Sequence, residues 1–341
     1  MFGSQNRLLL LLSLTMSISS AAQPLAIDSI INPGSCRQIV ETLAADSFMG
    51  RLSTSPRGEQ AARFIANEFS KAGCAPGAEN TSWFMPFSIL FGGANRQAHN
   101  VMAILPGKSR SNELLIFSAH YDHIGTKATN PFSFMPDNGH PERNDTVYNG
   151  ANDNASGTSA LILLARYFAR AANNERTLVF IAFTGEELGL LGSQYASGIM
   201  DHKAIVAMIN MDMLGVPISR KKRNPYLTGS AYSNLQTILN NTLYEYSVEE
   251  FGKKYFRNDP FGSENLFSRS DNYPFAQKGV PAHTVIATHP RNRFYHSLND
   301  EPATLDYALL AKNIKAIAIG SGTLAAGSQT PTRINTFRIS D

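Results

Sequence analysis

The sequence predicts an α/β protein, a three-layer αβα sandwich around a mixed, mostly parallel sheet. Three observations carry that expectation. Short apolar β-rich runs alternate with helix-length stretches from residue 99 onward. The runs are of the kind found in sheets covered by helices on their faces. Finally, 341 residues with 43% apolar and 17% charged side chains are enough for a sizeable core, which excludes disordered and fibrous classes. No internal repeat and no Pro/Gly/Ser-rich linker divides the chain, so residues 23–341 are expected to form a single domain.

The elements follow in order. Arg7, an apolar run over residues 8–18 and small residues up to Ala22 predict a secretory leader cleaved after Ala22. The run is too short to span a bilayer, and no later segment approaches the ~20 apolar residues a spanning helix needs. The expectation is therefore an exported protein, periplasmic or secreted, with no stable membrane anchor. Helical periodicity covers residues 36–48 and 57–72, the second with Ala61, Phe64, Ile65 and Phe69 on one face and Gly73 as its stop. Strands are expected at 100–105, 114–120, 177–184, 204–212 and 283–288, and helices at 156–172, 188–199, 234–247 and 304–324. Two long loops, 123–148 and 249–271, interrupt the alternation. Their aromatic residues, Phe132 and Phe134 in one and Phe251, Tyr255, Phe256, Phe261 and Phe267 in the other, are candidates for a pocket wall or for core. The polar tail from about residue 325 is expected to be loosely held.

The formal charge is +3, and +2 without Arg7, too little to grip nucleic acid. Cys36 and Cys74 are the only cysteines, and either one disulfide or two buried thiols suits an exported chain.

The chemistry gathers at strand ends. The 114–120 strand closes on Ala119-His120-Tyr121-Asp122, and the 177–184 strand runs into Gly185-Glu186-Glu187. The 204–212 strand ends at Asn210-Met211-Asp212. Between them, Asn149-Gly150-Ala151-Asn152-Asp153-Asn154-Ala155-Ser156-Gly157 is a polar turn before an apolar helix, and Tyr295-His296-Ser297 precedes the final helix. Taken singly, Asp153 or Asn154 would serve as a helix cap, and paired glutamates would complement a helix dipole. Together they lie on the edge where open α/β sheets bind ligands. Histidine and carboxylate ligands without cysteine suit Zn²⁺, with Mn²⁺ or Co²⁺ as substitutes. Five such ligands exceed one tetrahedral ion, so two ions sharing a bridging carboxylate are expected, able to hold a shared hydroxide and polarise a carbonyl.

These motifs, in this order, resemble the co-catalytic dizinc aminopeptidases, metallopeptidase family 28. The likeness runs from about residue 43 to 324 and takes in Gly50-Arg51 and Ser270-Asp271-Asn272-Tyr273-Pro274-Phe275. It implies a zinc-exopeptidase fold and peptide substrates. His120 and Asp212 would hold one zinc, Glu187 and His296 the other, and Asp153 would bridge them. Glu186 would be the general base and Asp122 would accept the free imidazole N–H of His120. A cis peptide is implied at Asp153–Asn154. The same family includes carboxypeptidases and dipeptidases with an arginine clamp, for which Arg291 and Arg293 are the candidates, as well as single-zinc glutaminyl cyclases. Non-catalytic binding relatives would be expected to lack ligands or base, whereas all five ligands and Glu186 are present.

Overall fold

The computed structural model describes residues 27–132 and 145–339. The leader expected at residues 1–22, and Phe134, lie outside the described residues. Nine strands form one sheet: β1 (Ala75–Pro76), β2 (Phe84–Phe91), β3 (Ala94–Leu105), β4 (Arg110–His120), β5 (Arg176–Phe183), β6 (Ile205–Asp212), β7 (Tyr226–Leu227), β8 (Arg257–Asn258) and β9 (Ala282–Ile286). Their order is β1-β3-β5-β4-β6-β9-β7-β8, with β2 paired to β3. The centre, β5-β4-β6-β9, is parallel throughout, while β3 joins β5, and β7 joins β9, antiparallel. The mixed, mostly parallel sheet is therefore as expected.

Helices α1 (Pro33–Leu43), α2 (Pro56–Ala72), α3 (Ser156–Ala171), α4 (Leu191–Ile199), α5 (Leu235–Tyr246), α6 (Val248–Phe251), α7 (Tyr273–Ala276), α8 (Tyr307–Gly320) and α9 (Gly322–Ala325) complete the described fold. Successive strand residues point to opposite faces, so each central strand feeds two cores. Phe117, Phe180 and Ile209 pack with Phe69 of α2, Leu161 of α3 and Ile314 of α8. Their neighbours Ile116, Ile181 and Met208 pack on the other face with Ala196 of α4 and Phe275 of α7. Phe117 stacks between Phe168 and Phe180, with ring centroids 5.4 and 5.6 Å away. Local signals set the ends of α2: the Ser55 side chain accepts the Gly58 N–H, Pro56 takes the first turn, and Gly73 stops the helix at φ 88°.

Four expectations change. The first helix ends at Leu43, and residues 46–51 form a separate 3₁₀ segment in which Met49 and Gly50 have positive φ. The β2–β3 hairpin was not anticipated: β3 begins at Ala94 rather than residue 100, and Gly92 and Gly93, at φ 60° and 77°, make its two-residue turn. In the 249–271 loop, Phe251, Tyr255 and Phe256 are core residues. The tail is held rather than loose. Arg176, buried in β5, donates to the Gln329 carbonyl and the Thr330 hydroxyl, Arg333 donates to the Ile205 carbonyl, and Ile334 is buried in the second core.

Cys36 and Cys74 are free and buried, and burial pushes both thiols up to about 12. Neither is a reactive thiolate at neutral pH. A thiol reagent such as dithionitrobenzoate should therefore find no fast-reacting group in the native protein and two in guanidinium. A chain unreactive even when unfolded would mean a disulfide.

Candidate metal centre

The carboxyl ends of parallel β4, β5 and β6 deliver His120, the Glu186-Glu187 pair and Asp212 to one spot. Asp153 reaches it from the turn before α3, where the Asp153–Asn154 peptide is cis as implied by the resemblance, and His296 from the loop after β9. Asp153 lies between two groups. Its Oδ1 is 3.3 Å from His120 Nε2, which is 3.6 Å from Asp212 Oδ1. Its Oδ2 is 3.4 Å from His296 Nε2, which is 2.8 Å from Glu187 Oε2. Among the described residues three sets of donor atoms converge within metal-ligating reach: His120, Asp153 and Asp212; His123, Asp153, Glu187 and His296; and His120, Glu186 and Glu187.

The donor set suits zinc: histidine nitrogens and carboxylate oxygens, no sulfur, almost no exposure to water. Asp212 Oδ1 is buried with no hydrogen-bond partner, an atom that a cation would satisfy. Ser270 Oγ donates to Asp212 Oδ2 at 2.9 Å, which turns Oδ1 toward His120.

The supporting contacts explain how the turn is held. Asp300 accepts the backbone N–H groups of Asn152 and Asp153, both at 2.9 Å. Asn154 accepts from the Gly157 and Met213 amides and donates to the Met211 carbonyl, tying the turn to the end of β6. Arg51 is wholly buried and donates only to carbonyls, those of Tyr121, Leu43, Asn149 and Gly150, at 2.6–2.9 Å. Burial lowers its guanidinium to about 10, against the pull of Asp300, Asp153, Asp122 and Glu187. It remains a cation at neutral pH.

The carboxylates divide electrostatically. Burial, reinforced by Glu187, Asp271 and Asp212, pushes Glu186 well above the ordinary carboxyl range, although His120 works against it. Glu187 goes the other way, to about 2, because the charge of His296 and hydrogen bonds from His123 and His296 outweigh its burial and Asp153. Two adjacent glutamates with opposite shifts suit opposite roles, one holding a proton and one holding a cation. Burial opposes the His296 charge, yet Glu187 and Asp153 raise the imidazole to about 11.

All seven residues singled out in the sequence meet here: His120, Asp122, Asp153, Glu186, Glu187, Asp212 and His296. Asp122 differs in detail from its expectation. His120 Nδ1 lies 3.2 Å from the Asp122 carbonyl, and the carboxylate Oδ1 is farther, at 3.7 Å. The Asp122 carboxylate instead accepts from Ser53 Oγ at 2.7 Å and from the Glu186 backbone N–H at 3.3 Å, so it positions Glu186. Arg291 and Arg293 are not at the centre: one pairs with Glu264 at 2.7 Å and the other lies over the Phe294 ring. The cleft contains Arg269 instead, together with Tyr226, Leu266 and Tyr295.

Sequence reasoning missed His123, which is fully buried with Nδ1 2.8 Å from Glu187 Oε1. It stands next to Asp122, and that adjacency was its only signal. Phe132 of the 123–148 loop stacks on the His296 ring.

Comparison with known proteins gives a family and a fold. Residues 100–319 match the family described as Peptidase family M28. A probable leucine aminopeptidase of Trichophyton verrucosum is 28% identical over 315 residues, covering 87% of this chain and 74% of the relative. Two solved structures share the fold. An aminopeptidase from Aneurinibacillus sp. strain AM-1 has a TM-score of 0.62 at 15% identity, over 92% of this chain and 97% of that one. A glutaminyl cyclase of Porphyromonas gingivalis has a TM-score of 0.64 at 16% identity, over 88% and 99%.

With His296 raised to about 11 and His120 also well above the usual imidazole value, both are protonated at pH 7 in protein stripped by chelator. Zinc takes only neutral imidazole. Loading at pH 7 should release about two protons, and apparent affinity should rise between pH 6 and 8. Calorimetry in buffers of different ionisation enthalpy reads the release; zinc binding without proton loss would contradict the charged histidines.

Proposed function

The chain belongs to peptidase family M28, and from that premise we propose that it is an exported aminopeptidase using two zinc ions, with Glu186 as general base. The observation that carries this reading is Asp153, whose two oxygens each face a separate histidine–carboxylate pair. His120, Asp212, Glu187, His296 and Asp153 would hold the two ions, and His123 orients Glu187 by its hydrogen bond. Zinc bound there would acidify a water and polarise the scissile carbonyl.

The protein's own groups do the rest. Glu186, anchored by its backbone N–H to Asp122, takes a proton from the attacking water and returns it to the leaving amine. Its raised proton affinity suits both transfers. The cleft floor of Asp153, Glu186 and Glu187 meets the substrate's N-terminal ammonium, which favours an aminopeptidase over a carboxypeptidase. Leu266 and Ile286 supply apolar wall for the first side chain. The leader of residues 1–22 supports export, and among the described residues no helix is long and apolar enough to cross a membrane.

Zinc-loaded protein should hydrolyse leucine p-nitroanilide and leave its N-acetyl twin intact. Glu186→Gln should lower kcat by about 10²–10⁴-fold while zinc content stays the same. A fully active Glu186→Gln variant would remove Glu186 from its role, and hydrolysis of the blocked substrate would count against the aminopeptidase.

A further inference from the structure

Four of the cations that line the metal cleft and the cavity beside it stand without partners. Among the described residues, the side chains of Lys221, Lys222, Arg257 and Arg269 make no hydrogen bond or ion pair, whereas Arg223 pairs with Asp306 and Arg291 with Glu264. Arg269 lines the metal cleft itself. Lys221, Lys222 and Arg257 line an adjoining cavity of about 300 Å³. One side chain, Tyr226, walls both spaces; it is fixed by donation from its hydroxyl to the Thr288 carbonyl at 2.9 Å. The nearest acid in sequence, Asp259, is half-buried and occupied by the Phe261 N–H.

The charge of this region is therefore ordered: an anionic floor of Asp153, Glu186 and Glu187 on one side of Tyr226 and a cationic cavity on the other. The whole chain carries a formal charge of only +3, so the cationic cavity is a local concentration, not a general basicity. A peptide with an ammonium at its first residue and a carboxylate a few residues downstream matches both signs in order.

We propose that the cavity lined by Lys221, Lys222 and Arg257, together with Arg269 in the neighbouring cleft, is a subsite for a carboxylate on the leaving side of the substrate. The proposal rests on the aminopeptidase reading and names its substrate class: short peptides with acidic residues, or their own C-terminus, just downstream of the scissile bond. Attraction between exposed charges is screened by salt, so the preference is largest at low ionic strength.

The test compares Leu-Ala-Asp-Glu amide, Leu-Ala-Asn-Gln amide, Leu-Ala-Asn-Gln free acid and Leu-Ala-Lys-Lys amide on the zinc-loaded protein. The acidic amide should exceed the neutral amide by about fivefold in kcat/KM, mainly through KM, the sum of two or three exposed ion pairs. The ratio should shrink toward one in 0.5 M salt and in Lys221→Gln/Lys222→Gln/Arg257→Gln and Arg269→Gln variants. The free acid distinguishes the sources: a gain there points to C-terminal capture, a gain only with Asp-Glu to side-chain capture. Equal cleavage of all four overturns the subsite and leaves the peptidase reading standing. Cleavage of none overturns that reading. Calorimetric titration with the product Ala-Asp-Glu amide against Ala-Asn-Gln amide then decides the subsite alone, and equal binding overturns it.

Discussion

Crowded negative charge is the constraint on which the rest of the structure depends. Asp122, Asp153, Glu186, Glu187, Asp212, Asp271 and Asp300 gather at one end of the sheet, nearly or fully out of water. A buried ion left uncompensated costs roughly several kcal/mol, so this many carboxylates persist only beside cations. Arg51 is the permanent one. Because its donors all go to carbonyls, it neutralises charge without consuming a carboxylate oxygen and clamps the backbone on either side of His120 and Asp153. Its own approach is tight: Gly50, at φ 66°, packs so closely on the Gly125 carbonyl that a Cβ there would lie 2.1 Å from the oxygen. Without metal, His120 and His296 supply the remaining positive charge; the two zinc ions proposed above would take it over.

The fold converts this electrostatic demand into geometry. Parallel strands with two apolar faces end together, so β4, β5 and β6 each deliver a polar residue to the same edge. The turn before α3 is gripped from three sides, by Asp300, Arg51 and Asn154, and this holds Asp153 between two donor sets. Residues that touch no substrate therefore set the position of the ones proposed to hold metal. The sign of charge reverses at Arg269 in the cleft wall and at the cationic cavity on the other side of Tyr226. The same surface can thus address both ends of a short substrate.

The sheet core and candidate ligands were legible because their signals are local: an apolar run followed by a polar residue marks a buried strand end wherever it falls. What was not legible depends on pairing across the chain. The β2–β3 hairpin carries alternation and a Gly-Gly turn, yet its one-sided burial is weaker than the central strands' pattern. His123 became significant only once β5 brought Glu187 beside it. Asp122 was expected to accept from His120, but the fold turned its carboxylate to Ser53 and Glu186, partners 69 and 64 residues away. Arg291 and Arg293 were singled out for closeness in sequence to His296. Arg269 is closer in space because the segment after β8 folds over the cleft. In the same segment, Phe251, Tyr255 and Phe256 looked equally suited to pocket or core, and packing against α5 and α8 made them core.

The central claim is that Asp153 joins two metal positions. Anomalous diffraction at the zinc edge from crystals of the zinc-loaded protein tests it most directly. The account predicts two peaks about 3.5–4 Å apart on opposite sides of Asp153, one against His120 and Asp212, the other against Glu187 and His296. A single peak, or a second ion remote from Asp153, would contradict it.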